Sequence, residues 1–175
     1  MPELRTSRLL LRDWRDTDRD AWAALNADPE VMEHFPATLD RAAADASFDR
    51  LSGALIDRGW GLWAVDLDGE FLGFTGLNPV TADVPFQGAI EIGWRFARHA
   101  WGRGYATEAA RASVDYAFGE LRLDELVSMT AVGNVRSQRV MERLGMTRDP
   151  GEDFEHPSVP VGHPVRPHVL YRLRA

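Results

Sequence analysis

The stretch that most restricts this chain is Arg98–Phe118, RHAWGRGYATEAARASVDYAF. An alternating, strand-like segment, GAIEIGWRF (Gly88–Phe96), runs into Gly102 and Gly104, and an Ala-rich helical segment follows at once. The first N–H groups of a helix have no partner within it and point outward at the positive end of its dipole. Glycine lets an anion approach the backbone with no Cβ in the way, and it tolerates the dihedral angles of such a nest. Gly102, Arg103, Gly104, Tyr105 and Ala106 would together offer several donors to a pyrophosphate. Small residues at 106, 109, 110 and 112 would let the helix lie close to a sheet and hold those donors still. Two familiar phosphate patterns fail here. The P-loop needs Lys-Ser/Thr after its last glycine, where Tyr105-Ala106 stands. The dinucleotide pattern G-x-G-x-x-G needs a third glycine at the position held by Thr107. A plain turn built on two glycines remains the alternative.

At 175 residues the chain is expected to form a single domain, 1–175, large enough for a proper core. No apolar run approaches the ~20 residues of a membrane span, and the start, MPELRTSRLLLR, lacks the apolar centre of a signal peptide. A cytoplasmic protein without membrane contact is expected. The net charge of −7 argues against a general nucleic-acid binder, which needs a basic footprint to displace phosphate counterions. With no cysteine, disulfides, thiolate metal sites and cysteine nucleophiles are ruled out. The tail histidines His156, His163 and His168 lack helical metal spacing and have prolines between them, so no metal is expected.

Arg8–Trp14 reads as a strand, and DTDRDAWAALN after it as a helix with an Asp/Thr cap. Thr38 is placed to cap a second helix carrying Phe48, Leu51 and Leu55 on one face. Asp68-Gly69 marks a tight hairpin turn between two strands. Tyr105–Phe118 is a third helix, ELVSMTAV a strand, and Asn134–Leu144 a fourth helix stopped by Gly145. A proline-rich segment and a last strand, HVLYRL, complete the chain. A hairpin run followed by strands alternating with helices predicts an α+β fold with a mixed, mostly antiparallel sheet flanked by helices.

Three stretches, LRTSRLLLR, WGRGYATEA and NVRSQRVMERLGM, resemble in order and spacing the Gcn5-related N-acetyltransferase (GNAT) superfamily, nearest its RimJ/RimL-like branch. The resemblance covers nearly the whole chain. It implies that the glycine turn binds the pyrophosphate of acetyl-CoA through Q/R-x-x-G-x-G/A, which falls on Trp101–Ala106. Gly104 and Ala106 match, whereas Trp101 replaces the usual Gln or Arg, leaving Arg98, Arg103 or Arg139 to supply side-chain charge. It also implies that the strand Ile90–Arg95 splays from Glu125–Ala131, the fourth and fifth strands of this reading, to admit the pantetheine arm as an added strand. Gly93 within that strand fits a bulge or a close backbone approach.

Acetyl transfer to an amine needs a free lone pair near the thioester, help for the oxyanion, and a proton for the leaving thiolate. Backbone N–H groups around Ile92, Gly93 and Trp94 are candidates for polarising the thioester carbonyl. Asn134 is placed to cap the fourth helix, whereas the resemblance puts it on the pantetheine or an ordered water. The resemblance places Ser137 near the thiol as proton donor. For the base, Glu91 comes first, on the strand expected to line the cleft, where alternation puts it on the face opposite Ile90 and Ile92, a face that is either the substrate cleft or a polar contact covered by a helix. His34, in the loop PEVMEHFP, comes second, as the side chain type that ordinarily titrates near neutrality. Transfer through water with no single base is a further option. Trp60 and Trp63 are candidates to line an acceptor pocket, and the proline-rich tail to border it.

The expected activity is direct acetyl transfer from acetyl-CoA to a primary amine, a protein N-terminus or a small molecule, in a ternary complex. The alternative is a non-catalytic acetyl-CoA-binding regulatory module. A homodimer is compatible with the sequence, which carries no feature that fixes the oligomeric state.

Overall fold

The computed structural model describes residues 2–175. Among them nine strands form one sheet: β1 Leu4–Arg5, β2 Leu10–Arg12, β3 Leu62–Leu67, β4 Glu70–Pro79, β5 Ile90–Phe96, β6 Glu125–Ala131, β7 Thr147–Arg148, β8 Phe154–Glu155 and β9 Pro167–Arg174. The helices are α1 Arg19–Ala27, α2 Arg41–Arg58, α3 Tyr105–Gly119 and α4 Val135–Arg143. The sheet order is β1-β2-β3-β4-β5-β6-β9-β7, with β8 also paired to β9. All neighbours are antiparallel except β5 and β6. The α+β architecture with a mixed, mostly antiparallel sheet is as the sequence predicts. The two-residue strands β1, β7 and β8 are too short to leave a period in the sequence.

Alternation in the strands builds a core on each face. Trp63 and Val65 of β3 and Ile92 and Phe96 of β5 join Ala109 and Ala110 of α3 and Val140 and Met141 of α4 in the larger core. Ala64 of β3 and Phe74 of β4 face the other way, onto Trp22 and Leu25 of α1 and Ala44 and Phe48 of α2. Trp63 is wholly buried and Trp60 packs at the margin of the larger core, so neither lines a pocket as the sequence reading allowed.

Several element ends differ from expectation for local reasons. Asp40, not Thr38, caps α2, its carboxylate accepting from the Ala43 N–H at 2.8 Å. The first long strand shrinks to Leu10–Arg12 because Arg8 is drawn to Glu108 of α3 and the Trp14 indole donates to the Leu62 carbonyl. The Asp68-Gly69 turn has positive φ at both residues, 52° and 91°, as a tight hairpin requires. Arg12, almost fully buried, donates to Asp18 at 2.8 and 2.9 Å and to Asp66 at 2.9 Å, pinning the chain before α1 onto β3.

One gap in the sheet matters most. β5 and β6 are paired only at Glu91↔Val127, while β5 pairs with β4 along its whole length. From Ile92 onward the edge of β5 that faces β6 carries no neighbouring strand, which is where the sequence reading places the splay.

Candidate active site

Beyond the unpaired edge of β5 the chain makes one turn of 3-10 helix, Arg98–Ala100, and enters α3 through Gly102 and Gly104. Their φ values are 75° and 80°, a region L side chains rarely occupy, and Gly104 is itself the N-cap of α3. The first intrahelical bond runs from the Glu108 N–H to the Gly104 carbonyl. The N–H groups from Gly102 to Thr107 therefore have no partner among the described residues. Trp101, at the position where Gln or Arg is usual, donates its indole N–H to the Phe96 carbonyl at 2.9 Å and lies under the Arg136 guanidinium, 4.5 Å from the ring centre. It braces the turn.

A cavity of about 840 Å³ runs from this turn through the β5–β6 gap to the opposite face of the sheet. On the α3–α4 face its walls include Gly102, Gly104, Thr107, Asn134, Ser137 and Arg139. On the other face they include Glu91, Gly93, Arg95, His34 and Phe35. Trp94, Trp101, Tyr105 and Ala106 also line it. Three sequence candidates lie elsewhere. Ile92 is fully buried in the core and can offer only its backbone. Arg98 is ion-paired with Glu30, and neither it nor Arg103 lines the cavity. Instead α4 presents Arg136, Arg139 and Arg143, all in its walls. Their spacing of three and four residues is that of one helical face, a sequence signal of which only Arg139 was used.

Gly93 is not a bulge. It pairs in register with Gly76, and a Cβ built there would meet nothing within 4 Å. The absent side chain leaves the cavity open between Glu91 and Arg95.

Asn134 caps α4, its Oδ1 accepting from the Ser137 N–H at 3.2 Å. Its Nδ2 donates to Thr130 Oγ1 at 2.9 Å and to Ser137 Oγ at 3.1 Å. Because Ser137 Oγ accepts from Asn134, the serine keeps its own proton free to donate. Glu91 is half-buried and has no hydrogen bond or ion pair among the described residues. Burial pushes its carboxyl up to about 7. His34 also lines the cavity, 3.7 Å from Glu33. Glu108, a first-turn acid of α3, serves mainly to strap the N-terminal segment, accepting from Thr6, Ser7 and Arg8.

The tail brings together two histidines that are twelve residues apart in sequence. His156 and His168 have ring centres 4.9 Å apart and line the cavity beside Phe154. The pairing of β8 with β9 makes this contact. Burial lowers the pKa of both, which favours their neutral forms.

Comparison with known proteins agrees with this architecture. The family model for the acetyltransferase (GNAT) domain matches residues 8–147. The uncharacterized protein YkkB of Bacillus subtilis is 35% identical over 147 residues, 82% of this chain and 84% of that one. The FsC-acetyl coenzyme A-N(2)-transacetylase of Aspergillus fumigatus is 36% identical over 154 residues, 83% of this chain but 65% of the longer fungal protein. The solved acetyltransferase of Agrobacterium tumefaciens superposes with a TM-score of 0.79 at 32% identity, covering 100% of this chain and 95% of its own. A RimL ribosomal L7/L12 α-N-protein acetyltransferase, solved in complex with coenzyme A, shares the fold at TM-score 0.78 and 15% identity, over 99% and 98% of the two chains. The chain belongs to the GNAT acetyltransferase family and is an N-acetyltransferase of it. The family uses acetyl-CoA. No helix among the described residues is long and apolar enough to cross a membrane.

Proposed function

We propose that the protein binds acetyl-CoA along the β5 edge and the N-terminus of α3, and transfers the acetyl group directly to a primary amine held on the opposite face. One observation carries this reading: a strand edge without a neighbour leads into a run of unpartnered N–H groups, and a single cavity joins both to Glu91 and Ser137. The residues present fit the cosubstrate. The turn offers free N–H donors at the positive end of a fifteen-residue helix, which suits a pyrophosphate. The basic face of α4 stands alongside. The unpaired β5 edge suits an amide-bearing arm that hydrogen-bonds as an added strand.

Acetyl-CoA supplies the activated acyl group as a thioester. Glu91 takes a proton from the acceptor ammonium, directly or through water, and frees the lone pair that attacks the carbonyl carbon. A carboxyl group near pKa 7 suits this, because it is ionised in useful fraction at neutral pH yet basic enough to accept the proton. Backbone N–H groups of the β5 edge around Gly93 and Trp94 steady the developing oxyanion. As the C–N bond forms and the C–S bond breaks, the attacking nitrogen sheds its second proton, and Ser137 Oγ, oriented by Asn134, passes a proton to the thiolate and regains one from that nitrogen through solvent. Holding both reactants in one cavity supplies much of the rate, since lost translational freedom is worth up to ~7–11 kcal/mol. His34 is the second candidate for the base. The acceptor is a primary amine on a small molecule or a protein N-terminus.

The test follows thiol release from acetyl-CoA with a thiol-reactive dye across small amines and peptides with free N-termini. The protein has no cysteine to add background. Release that depends on an amine is expected. Release that proceeds equally without any amine, or none at all despite CoA binding, refutes the proposal.

A further inference from the structure

Arg95 sits on the face of β5 shared by Glu91 and Gly93, and it lines the cavity on the side away from α3 and α4. Its guanidinium is enclosed by aromatic rings, with its central carbon 4.1 Å from the ring centre of Phe35 and 5.7 Å from those of Phe74 and Trp22. One Nη donates to Asn26 Oδ1. Asn26 is itself fully buried, and its Nδ2 donates to the Trp22 carbonyl at 2.7 Å, so the amide oxygen is locked toward the arginine. Arg95 Nε is buried with no hydrogen-bond partner, and no carboxylate among the described residues lies within ion-pair distance of the group. Glu30, the nearby loop acid that lines the same cavity, is taken by Arg98.

This is an unusual way to keep a cation. Buried charges are ordinarily paired, because removing an ion from water costs several kcal/mol that only an opposite charge or strong hydrogen bonds repay. The buried Arg12 follows that rule, pairing with Asp18 and Asp66. Aromatic faces offset part of the cost but leave the planar fork unused, and that fork is the geometry that grips a carboxylate through two parallel hydrogen bonds. Arg95 is held in place by Asn26, desolvated, open to a cavity, and lacks an anion. Glu91 stands four residues away on the same face, about 13 Å along the strand between Cα atoms, with the bare floor of Gly93 between them.

We propose that Arg95 is the anion-recognising wall of the acceptor pocket, so that the amine this enzyme acetylates carries a carboxylate on the same molecule. The amine lies toward Glu91 and the gap, and the carboxylate lies across Gly93 on Arg95. This rests on the acetyl-transfer reading above. It assigns an acceptor that is acidic at one end, which the net charge of −7 would never suggest.

The experiment compares matched acceptors that differ only in the anion. One arm uses γ-aminobutyrate against γ-aminobutyramide. The other uses a free-N-terminus tripeptide amide with Asp or Asn at its second residue, and separates a free small acid from a peptide source. The readout is the acid-to-amide ratio of kcat/KM for the wild type, Arg95→Gln and Arg95→Lys, with melting curves to confirm folding. In at least one arm the wild type is expected to favour the acid by about tenfold or more. Arg95→Gln should remove that preference chiefly through KM, and Arg95→Lys, which keeps charge without the fork, should restore part of it. If Arg95→Gln does not fold, the lysine variant alone still reads the ratio. A wild-type ratio near one in both arms, or a ratio that Arg95→Gln leaves unchanged, overturns the proposal. Should no amine be acetylated, calorimetry of the same acids and amides against CoA-saturated protein decides it. Arg95-dependent binding of an acid then upholds the acceptor assignment while the transfer reading fails, and no such binding refutes the assignment as well.

Discussion

Replacing Glu91 by Gln tests the chemistry and the electrostatics of the site in one variant. The isosteric amide keeps the shape of the side chain and removes its titration. If Glu91 is the base, the rate should fall by the ~10²–10⁴-fold that general-base catalysis contributes. The profile of kcat/KM in the wild type should rise with pH through about 7, where burial places this carboxyl, and the Gln variant should lose that limb. Stability should move the opposite way. The folded-state pKa lies above that of the unfolded chain, so both states are protonated below about pH 4 and wild type and variant should be equally stable there. As pH rises from about 4.5 to 7 the unfolded chain ionises first, and the wild type progressively loses stability that the Gln variant keeps. Above about pH 7 the difference is constant. A carboxyl held near 7 corresponds to roughly 3 kcal/mol of unfavourable ionisation, and access of water to the half-buried group reduces this to about 1–3 kcal/mol. Thiol release between about pH 5.5 and 9 measures the first effect, and urea unfolding at about pH 4 and pH 8 the second. A variant that keeps wild-type turnover and the same limb removes Glu91 from the mechanism. One that is less stable than the wild type at about pH 8 refutes the account of its burial.

Three further outcomes follow from other parts of the site. Gly104→Val should weaken CoA binding by about 5- to 150-fold by calorimetry, because φ is 80° at this N-cap and a branched side chain there adds about 1–3 kcal/mol of strain to the backbone that presents the free N–H groups. Ser137→Ala should lower kcat by roughly tenfold or more with CoA affinity little changed, the deficit being smallest with an acyl donor whose leaving thiol has a low pKa. Arg12→Leu should destabilise the fold by about 3–5 kcal/mol in urea at neutral pH, because it strands the buried carboxylates of Asp18 and Asp66.

What was legible in the sequence was local. Gly102 and Gly104 announce the turn because only glycine is at ease at φ near 80°, and the alanines after them announce a helix packed close to a sheet. Alternation in IEIGWRF places Glu91 opposite Ile92, as the structure has it. The same alternation puts Gly93 and Arg95 beside Glu91, yet nothing in the sequence says that Arg95 is buried, because its aromatic enclosure comes from Trp22, Phe35 and Phe74, three separate segments. His156 and His168 meet through β8, a strand of two residues with no readable period. Trp60 and Trp63 are candidates for an acceptor pocket in the sequence, but Trp63 lies on the α3 face of β3, where Tyr116 packs edge-on against it at 5.4 Å. A glycine inside a strand fits a bulge or a close backbone approach, but Gly93 keeps its register and has open space in front of it.

On the proposed reading, the sheet separates the two substrates by charge. On the α3–α4 face, free N–H groups and Arg136, Arg139 and Arg143 make a locally positive approach in a protein whose net charge is −7. A polyanionic cosubstrate gains nothing from the long-range field of such a protein, so its capture has to rest on these short-range donors, whose reach is limited to about a Debye length of ~8–10 Å. On the other face the cavity holds one carboxyl without a partner and one guanidinium without an anion. Those two groups cannot neutralise each other across the ~13 Å between their Cα atoms without crossing the space in front of Gly93. A ligand that filled that space with an amine at one end and an acid at the other would satisfy both, and it would bring its nucleophile to the opening between β5 and β6. On the proposed reading the gap between β5 and β6 would do two jobs: it would give one substrate a strand edge to bind, and it would leave the other a route to the acyl carbon.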